Sequence, residues 1–479
     1  MKVLSVASEA VPLIKTGGLA DVVGALPQPL AKHGIDMRPF LPGYPAVVAG
    51  TGKGKRVHFY PSLFGGPASI VSAEVDDYRL FYLDAPHLFD RAGGPYAMQA
   101  GGDWSDNWRR FAALAAVGAD FAAGQVDEWR PDIVHAHDWQ AAMTPAYIRY
   151  RGIAGVPSVL TVHNLAFQGH FPREIFPELG LPPEAMALDG IEYYGGIGFL
   201  KAGLQSAWKI TTVSPTYAQE IRTEAFGMGL EGLINARADD LVGIRNGVDV
   251  ASWNPAQDAH LSSCFSPKSL KGREANKRAV ENRFGLVEED GPLICVISRL
   301  TWQKGMDLFA ARFDDLVEAG ARVAVLGSGD QALEGALLAA AARHRGRASV
   351  IVGYDEPLSH LMQGGCDAIV VPSRFEPCGL TQLYGLRYGC VPLVARTGGL
   401  ADTVIDANEA ALDAGVATGL LFEPDNADAL ADAVRRMIRL YADRALWSGI
   451  QKRAMRSDVS WDRSAASYAA LYRSLLSRV

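Results

Sequence analysis

The stretch KTGGLADVVGALP, from Lys15 to Pro27, returns almost unchanged as RTGGLADTVIDAN, from Arg396 to Asn408. The residues TGGLAD are identical in the two copies, and a basic residue precedes them both times. Each copy has a glycine pair in a turn that leads into a segment typical of a helix. At a helix N-terminus, free backbone N–H groups and the helix dipole favour anionic oxygens. Two such turns in one chain predict two α/β domains of the same kind.

Short apolar runs alternate with amphipathic segments through the first half of the chain. The runs are KVLSVA, IDMRPFL, DIVHAH, PSVLTVH and KITTVS. This alternation predicts βα units that build a parallel sheet. Between about residues 50 and 90, the strand-like runs VHFYPSL, SIVSAEV and YRLFYLD follow one another with no helix between them. They predict an antiparallel excursion or insertion.

The second half of the chain restarts the same pattern with PLICVIS, ARVAVLG, SVIVGY, DAIVVP and VPLVA. It predicts a second doubly wound, Rossmann-like sheet. We therefore expect a first domain at residues 1–245, a linker and surface segment at 246–289, and a second domain at 290–456. The last segment, 457–479, predicts an amphipathic helix that has several possible partners, the first domain among them.

The composition limits the class of protein. A chain of 479 residues exceeds what one hydrophobic core usually serves. The net charge of −7 argues against a general nucleic-acid or membrane-surface binder. Five cysteines without paired CxxC spacing predict a reducing compartment, with neither disulfides nor a zinc ribbon. The apolar run before Glu9 is too short for a signal peptide, so we expect a cytoplasmic protein.

Three groups in the first half are candidates for a ligand site: the turn after Lys15, His163 and the segment HAHDWQ. Lys15 adds a positive charge to the turn at Gly17 and Gly18, where a phosphate could approach the backbone closely. A plain αβ turn is the alternative, and the spacing fits neither a dinucleotide fingerprint nor a P-loop. His163, in TVHNLAFQG, ends a strand where α/β sheets place ligand-facing groups, although a hydrogen-bonded core histidine explains it equally well.

The segment HAHDWQ, residues 135–140, also comes at the end of a strand. Two alternating histidines with a nearby acid suggest a metal site, yet no further cluster of metal-ligand spacing supports one. We expect Asp138 instead to cap the N-terminus of a helix that starts at Trp139.

In the second half, SRLTWQKG places Arg299 and Lys304 after the first strand. Two permanent cations at the carboxyl end of a strand suit a diphosphate, and solvated loop cations are the alternative. Further on, PSRFEPCGLTQLYGLRYG places Glu376 in the crossover before a helix that Gly379 opens. The N–H groups of the helix start would face a phosphate, with the carboxylate beside it for sugar hydroxyls.

No Asp-any-Asp triplet occurs anywhere in the chain. This absence argues against a metal that bridges the diphosphate, so protein cations would have to neutralise the leaving group.

Seven segments, read together, closely resemble bacterial glycogen synthases and plant starch synthases. They are KTGGLADVVGALP, HDWQAA, VHNLAFQG, GIRNGVDVASWNP, SRLTWQKG, EPCGLTQLYGLRYG and RTGGLADTV. The motifs match in order across almost the full chain, which makes the run far more specific than any single motif. The resemblance implies a GT-B fold, in which two Rossmann-like domains face across a deep cleft. It implies retaining transfer of glucose from ADP-glucose to the non-reducing 4-hydroxyl of an α-1,4-glucan such as glycogen. Neither a metal nor another cofactor is implied.

The resemblance also implies roles for single residues. The first turn would lie at the donor's phosphate and glucose, Arg299 and Lys304 at the diphosphate, and Tyr354 on the adenine. Each TGGL turn would look inward from its own domain. The residues implied for the chemistry are Lys15, Asp138, His163, Arg299, Lys304 and Glu376, and those for substrate binding are Gly17, Gly18, Asp21, Asn164, Asn246, Tyr354, Cys378, Gly379, Leu380 and Thr381.

One position departs from the wider superfamily, where a second glutamate follows Glu376 eight residues on. Here that residue is Tyr384, so a ribose-gripping carboxylate is missing at this point. Three other functions stay open on the sequence. They are a GT-B transferase that uses UDP-glucose, a glucan phosphorylase with a pyridoxal-phosphate lysine, and a catalytically silent binding protein of the same fold.

Overall fold

The computed structural model describes residues 1–75 and 78–477, so positions 76–77 of the antiparallel excursion and positions 478–479 of the last segment lie outside the described residues. The chain separates into two compact units. The first comprises Met1–Asn246 with Trp461–Val479, and the second comprises Gly247–Ser460. Among the described helices, none has both the length and the apolar composition needed to cross a bilayer.

The first unit is built on a nine-stranded sheet with the order β12-β11-β7-β6-β1-β2-β5-β4-β3, and β8, β10 and β9 form a small separate sheet. Its strands are β1 Lys2–Val6, β2 Asp36–Pro42, β3 Lys55–Leu63, β4 Gly66–Val75, β5 Tyr78–Asp84, β6 Ile133–His137, β7 Ser158–Val162, β8 His170–Phe171, β9 Glu192–Tyr193, β10 Gly196–Gly198, β11 Lys209–Thr212 and β12 Leu241–Gly243.

Seven of these strands, from β12 across to β5, run parallel, and only β5-β4-β3 pair in antiparallel fashion. The excursion predicted between residues 50 and 90 is therefore present, and it extends the main sheet rather than forming a separate one. In the order of the parallel strands, the chain starts in the middle at β1, goes to one side through β2 and β5, and then returns to the other side at β6.

Helices cover both faces of this sheet, since its central strands are buried along their whole length. They are α1 Gly18–Ala25, α2 Pro27–Ala31, α3 Pro45–Thr51, α4 Pro86–Phe89, α5 Asn107–Ala122, α6 Asp138–Ala141, α7 Met143–Tyr150, α8 Phe199–Ser206, α9 Pro215–Glu220, α10 Glu224–Gly227 and α11 Glu231–Ala236, with 3₁₀ turns at Arg173–Leu179, Pro183–Ala185 and Ala238–Asp240.

The second unit contains one parallel sheet with the order β15-β14-β13-β16-β17-β18. Its strands are β13 Leu293–Ile297, β14 Arg322–Gly327, β15 Ala348–Val352, β16 Ala368–Val371, β17 Val391–Ala395 and β18 Leu420–Phe422. Its helices are α12 Gly272–Phe284, α13 Met306–Glu318, α14 Gln331–Arg343, α15 Glu356–Gly365, α16 Thr381–Tyr388, α17 Gly398–Thr403, α18 Glu409–Asp413, α19 Ala427–Ala442 and α20 Arg444–Arg456. This strand order is that of a Rossmann domain.

Residues 246–289, for which the sequence predicts a linker and surface segment, contain the helix α12, which packs against α15. The buried face of α12 includes Arg273, Lys277 and Glu281, so its sequence shows no hydrophobic period. Lys277 bonds to Asp367 at 2.9 Å, and Glu281 pairs with the fully buried Arg322. Ion pairs replace the apolar stripe by which a helix is usually predicted.

The chain closes with α21, Trp461–Leu476, which belongs to the first unit. Its buried residues include Trp461, Tyr468 and Tyr472, which pack in one cluster with Val3 of β1 and Ile133 of β6. The last helix therefore completes a core that begins with the first strand.

Candidate functional site

In the second unit, the predicted donor-binding residues follow β13 and β16. These two strands are neighbours, but the chain leaves β13 toward β14 on one side and leaves β16 toward β17 on the other. The carboxyl ends of strands at such a switch point form a crevice where α/β sheets bind ligands. Arg299 and Lys304 come after β13, and Glu376 comes after β16.

A cavity of about 50 Å³ lies at this point. Lys304 and Glu376 meet there, with Nζ 2.5 Å from Oε2. Ser373 donates a second hydrogen bond of 2.9 Å to the same carboxylate oxygen. Both charged side chains are largely buried, with exposed fractions of 17% and 8%. The lining residues are Ile297, Ser298, Lys304, Val370, Val371, Pro372, Glu376, Gly379, Leu380, Thr381 and Gln382.

The start of α16 adds hydrogen-bond donors to the cavity. The backbone N–H groups of Gly379, Leu380 and Thr381 have no acceptor within residues 1–75 and 78–477. Gly379 has a φ of +71°, a conformation that glycine adopts without steric cost. Three free N–H groups at a helix N-terminus beside a lysine form an arrangement suited to phosphate oxygens.

The loop of Arg299 and Lys304 is held in place by Arg374. The guanidinium of Arg374 makes a two-pronged ion pair with Asp307, at 2.6 and 2.7 Å, and donates to the carbonyl of Trp302 at 2.7 Å. Hydrogen bonding to this guanidinium lowers the pKa of the Asp307 carboxyl. Arg299 itself is exposed, and its guanidinium has no partner in the described part of the chain. The cation is thus free for a ligand.

The second TGGL turn is not open to a ligand, although the resemblance implies that each turn looks inward from its own domain. Gly398 and Gly399 are buried against the loop of Glu376. The N–H of Gly399 donates to the carbonyl of Glu376 at 3.0 Å, and a Cβ on Gly399 would lie 2.1 Å from the carbonyl oxygen of Cys378. This turn supports the loop that carries the carboxylate.

The other predicted residues of the second unit lie around the cavity or outside it. Tyr354 is 78% exposed and donates to Glu356 at 2.6 Å. Cys378 is buried directly before Gly379. Tyr384, where the superfamily has a glutamate, stacks on the Trp253 ring at a centroid distance of 3.6 Å. Tyr384 therefore packs against the 247–260 segment.

The first unit repeats the arrangement at its own switch point, between β1 and β6. Lys15 and the turn at Gly17 and Gly18 follow β1, and Asp138 follows β6. Gly17 is exposed, and a Cβ placed on it would meet nothing within 4 Å. Lys15 bonds to Asp21 at 2.8 Å, across the first turn of α1. In contrast to its second copy, the first glycine turn leaves room for a ligand at its backbone.

Glu9 is a functional candidate that the sequence analysis missed. Its carboxylate is buried and accepts hydrogen bonds from the backbone N–H of Thr16, from the Thr16 hydroxyl at 2.6 Å, and from the Tyr96 hydroxyl. It thereby fixes the residue between Lys15 and Gly17. The sequence does contain a signal for this residue, an acidic side chain just beyond the carboxyl end of β1. A carboxylate that is buried there needs hydrogen-bond partners.

The sequence predicts that Asp138 caps a helix that starts at Trp139, and this prediction is wrong. The short helix α6 begins at Asp138 itself, which has a φ of +53°. Its carboxylate turns toward β7 instead and accepts from the N–H of His163 at 2.6 Å. Burial raises the pKa of the Asp138 carboxyl to about 7, against the lowering effect of the backbone N–H groups of His163 and Asn164. A carboxyl held this way is poised to change charge near neutral pH.

Three histidines lie together at the carboxyl ends of β6 and β7. His135 and His137 are fully buried with ring centroids 4.2 Å apart, and His137 Nδ1 lies 3.0 Å from His163 Nε2. Burial lowers the pKa of His135 and of His163 to about 3 and that of His137 well below its usual value. All three rings are therefore neutral at physiological pH.

The two remaining predicted residues of the first unit are asparagines. Asn164 accepts from the N–H of Ala166 at 3.1 Å, which closes a turn after β7. Asn246 is buried, and its Oδ1 has no hydrogen-bond partner among the described residues. A larger cavity, of about 440 Å³, lies near Ser158 and Trp208, before β7 and β11, and none of the predicted residues lines it.

No group of three histidine, cysteine, aspartate or glutamate side chains in the described ranges has the arrangement of a metal site.

Comparisons with known proteins agree with this geometry. A family profile described as the starch synthase catalytic domain matches residues 2–236, and one described as glycosyl transferases group 1 matches residues 278–452. A glycogen synthase of Mesorhizobium japonicum is 65% identical over 478 residues, which cover 100% of this chain and 99% of the relative. A glycogen synthase 1 of Rhizobium meliloti is 57% identical over 479 residues, covering 100% of both.

Among solved structures, the catalytic domain of starch synthase IV from Arabidopsis thaliana, bound to ADP and acarbose, matches with a TM-score of 0.87. Its sequence is 29% identical, and the match covers 99% of each chain. A sucrose-phosphate synthase from Thermosynechococcus elongatus, 17% identical over 100% of each chain with a TM-score of 0.61, shares the fold. The fold class and the resemblance predicted from the sequence are thereby confirmed. The chain belongs to the glycogen and starch synthase family of GT-B glycosyltransferases.

Proposed function

We propose that this protein transfers glucose from ADP-glucose to the non-reducing 4-hydroxyl of an α-1,4-glucan, with retention of configuration, and so elongates glycogen. The family supports this reaction, since relatives of at least 57% identity over the whole chain carry the name glycogen synthase. The ADP bound to the starch synthase IV neighbour supports the choice of nucleotide.

The observation that carries the proposal is the cavity at the switch point of the second unit. It combines the Lys304 ammonium with the free N–H groups at the start of α16, and Arg299 stands unpaired on the adjoining loop. The Lys304 ammonium and the N–H groups of α16 are fixed before a ligand arrives. They would stabilise the negative charge that develops on the β-phosphate as the bond to glucose breaks. Glu376 would bond to sugar hydroxyls from the same cavity.

In the first unit, we assign the turn at Lys15 to the donor and the carboxyl ends of β6 and β7 to the transferred glucose. There, His163 and Asp138 are buried, and the carboxylate of Asp138 accepts a hydrogen bond from the backbone N–H of His163. As the anomeric carbon becomes cationic, a nearby carboxylate stabilises it better than a carboxylic acid does. Activity should therefore depend on the charge of Asp138, whose pKa is about 7.

For the stereochemistry, we favour attack of the acceptor hydroxyl on the same face that ADP leaves. A retaining reaction by double displacement needs a carboxylate that is free to bond to the anomeric carbon, whereas the Asp138 carboxylate assigned to this glucose accepts from the backbone N–H of His163. In front-face attack, the leaving phosphate takes the proton of the acceptor hydroxyl. We further propose that the reaction needs no metal or other cofactor, because protein cations and N–H groups supply the charge stabilisation.

The cytoplasm is the proposed compartment. All five cysteines are free thiols, which suits a reducing environment. No nucleic-acid or membrane partner is proposed, in keeping with the net charge of −7.

A comparison of two glucose donors, each offered separately, tests the proposed function. The purified protein, treated with EDTA, is given glycogen and either ADP-glucose or UDP-glucose, and the glucose incorporated into polymer is measured. We expect incorporation from ADP-glucose in the presence of EDTA. A preference for UDP-glucose would overturn the donor assignment, dependence on an added metal would overturn the metal-free chemistry, and no transfer from either donor would favour a binding protein.

A further inference from the structure

A line of buried side chains runs behind His163 across three neighbouring strands. His163 Nε2 lies 3.0 Å from His137 Nδ1, and His137 Nε2 lies 3.0 Å from the hydroxyl of Ser5. Ser5 and His137 are fully buried, and His163 is 8% exposed. Ser5 belongs to β1, His137 ends β6, and His163 follows β7, so the line crosses the centre of the sheet at its carboxyl end.

The protons of this line can be assigned by counting donors and acceptors. Each neutral imidazole carries one N–H and one acceptor nitrogen. Among the described residues, His137 Nε2 is the one acceptor within reach of the Ser5 hydroxyl. If His137 donated to Ser5 instead, the hydroxyl proton would stay buried without a hydrogen-bond partner, which is unfavourable. Ser5 therefore donates to His137.

The remaining protons follow from this first one. His137 accepts at Nε2, so its own proton lies on Nδ1 and is donated to His163 Nε2. His163 accepts at Nε2, so its proton lies on Nδ1. Because Nε2 is occupied, Nδ1 is the nitrogen that remains for a ligand.

We infer that Ser5 and His137 are positioning residues that fix His163 as the Nδ1-protonated tautomer, which presents an N–H donor to a hydroxyl oxygen of the transferred sugar. The inference rests on the proposed function, which assigns His163 to the glucose. It also gives the second histidine of the HAHDWQ motif a role, which is to orient another residue.

Neighbouring groups contact His137 and His163 without changing which ring nitrogens carry the protons. His135 stacks on His137, and its two nitrogens are occupied by the hydroxyl of Tyr472 at 2.7 Å and that of Thr161 at 2.5 Å. The Asp138 carboxylate bonds to the backbone N–H of His163 rather than to its ring.

Two substitutions of His137 separate positioning from packing. In His137→Asn, the side-chain amide occupies the place of Nδ1 and can still donate to His163. In His137→Gln, the amide occupies the place of Nε2, so it reaches Ser5 but leaves His163 without its donor. Both remove the same buried ring. Thr161→Val is the matched control, because it deletes a hydroxyl bond to the ring of His135, which has no hydrogen bond to His163.

We expect His137→Gln to lower kcat roughly tenfold to a hundredfold, the scale on which misplaced catalytic groups lose rate. We expect His137→Asn to stay within about fivefold of the wild type and Thr161→Val to leave kcat unchanged. Melting temperatures measured in parallel should fall by similar amounts in the two His137 variants. Equal losses of kcat in both variants, or losses that follow the melting temperature, would overturn the inference.

Nitrogen-15 NMR of histidine-labelled wild-type protein reads the tautomer directly, with the His163 signals assigned from a His163→Gln sample. We expect a protonated Nδ1 in the wild type and a mixture of tautomers in Ser5→Ala. A protonated Nε2 or a cationic ring in the wild type would contradict the assignment. This readout does not depend on turnover, so failure of the wild type to transfer glucose would count against the proposed function alone.

Discussion

Among single residues, Lys304 supplies the positive charge of the second-unit cavity. The charged side chains at strand ends are also the most predictable part of the site. The sequence predicts Lys304 and Glu376 because each follows an apolar strand, and the structure brings their side chains to 2.5 Å. It does not predict the partner of Asp138, whose carboxylate bonds to the backbone of a residue 25 positions away, just after the next strand, because neither a backbone donor nor a positive φ has a sequence signature.

Removing the cation of the second-unit cavity should slow the chemistry strongly. For Lys304→Ala we expect kcat to fall roughly a hundredfold or more, since a contact to charge that develops in the transition state is lost. Steady-state kinetics with ADP-glucose and glycogen measure this. Lys268→Ala, which removes an exposed cation of the same unit, is the control and should leave kcat unchanged. Unchanged turnover in Lys304→Ala would exclude its role at the diphosphate.

The buried carboxyl of Asp138 should make the free energy of unfolding depend on pH. Its folded-state pKa of about 7 lies above the ordinary 3.8, so between these values the native state keeps a proton that the unfolded state loses. This group therefore destabilises the native state as pH rises from 4 to 7. Asp138→Asn cannot ionise. Its free energy of unfolding, relative to the wild type, should rise by up to about 1.4 kcal/mol per pH unit across this window in urea melts. A difference that does not change with pH would contradict the raised pKa.

At the level of the elements, the two TGGL turns show that identical sequence can serve two different purposes. Both lie at the start of a helix, as predicted, but one is exposed and the other is covered by the loop of residues 376–378. What covers a turn is decided by a segment distant in sequence. Helix α12 was missed for a related reason, since its buried residues are charged and find their partners on other elements.

Alanine in place of one glycine of each turn tests this difference. In Gly399→Ala, the new Cβ would lie 2.1 Å from a backbone oxygen, so the Glu376 loop must move. We expect a loss of about 1–3 kcal/mol in stability together with lower kcat. Gly17→Ala has open space and an extended φ of −157°, so its melting temperature should not change. A raised KM for ADP-glucose in Gly17→Ala would report the approach of the donor to that turn. Equal melting temperatures for the two variants would contradict the packing described here.

For the whole molecule, the sequence was sufficient to predict two Rossmann-like units, because the alternation of apolar strands and helices is strong in both halves. It could not supply the order of the strands, which depends on which edge each crossover takes. Nor could it choose the partner of the last segment, because an amphipathic helix shows only that it has an apolar face. The structure assigns that helix to the first unit, where Tyr472 is fully buried.

Loss of the C-terminal helix contacts should therefore weaken one unit only. We expect Tyr472→Ala to cost about 3–5 kcal/mol, while Tyr472→Phe, which keeps the ring and loses the bond to His135, should cost about 1–2 kcal/mol. Hydrogen–deuterium exchange should show faster exchange of β1 and β6 in Tyr472→Ala and unchanged protection of β13 and β16. Equal loss of protection in both sheets would argue against separate cores.

The proposed reaction is retaining transfer of glucose from ADP-glucose to the end of an α-1,4-glucan. NMR of the product made from ADP-glucose labelled with carbon-13 at the anomeric position, with maltotetraose as acceptor, tests it most directly. We predict that the label appears as a new α-1,4-linked glucose at the non-reducing end. A β-linked product, another linkage, or labelled free glucose as the main product would contradict the proposed reaction.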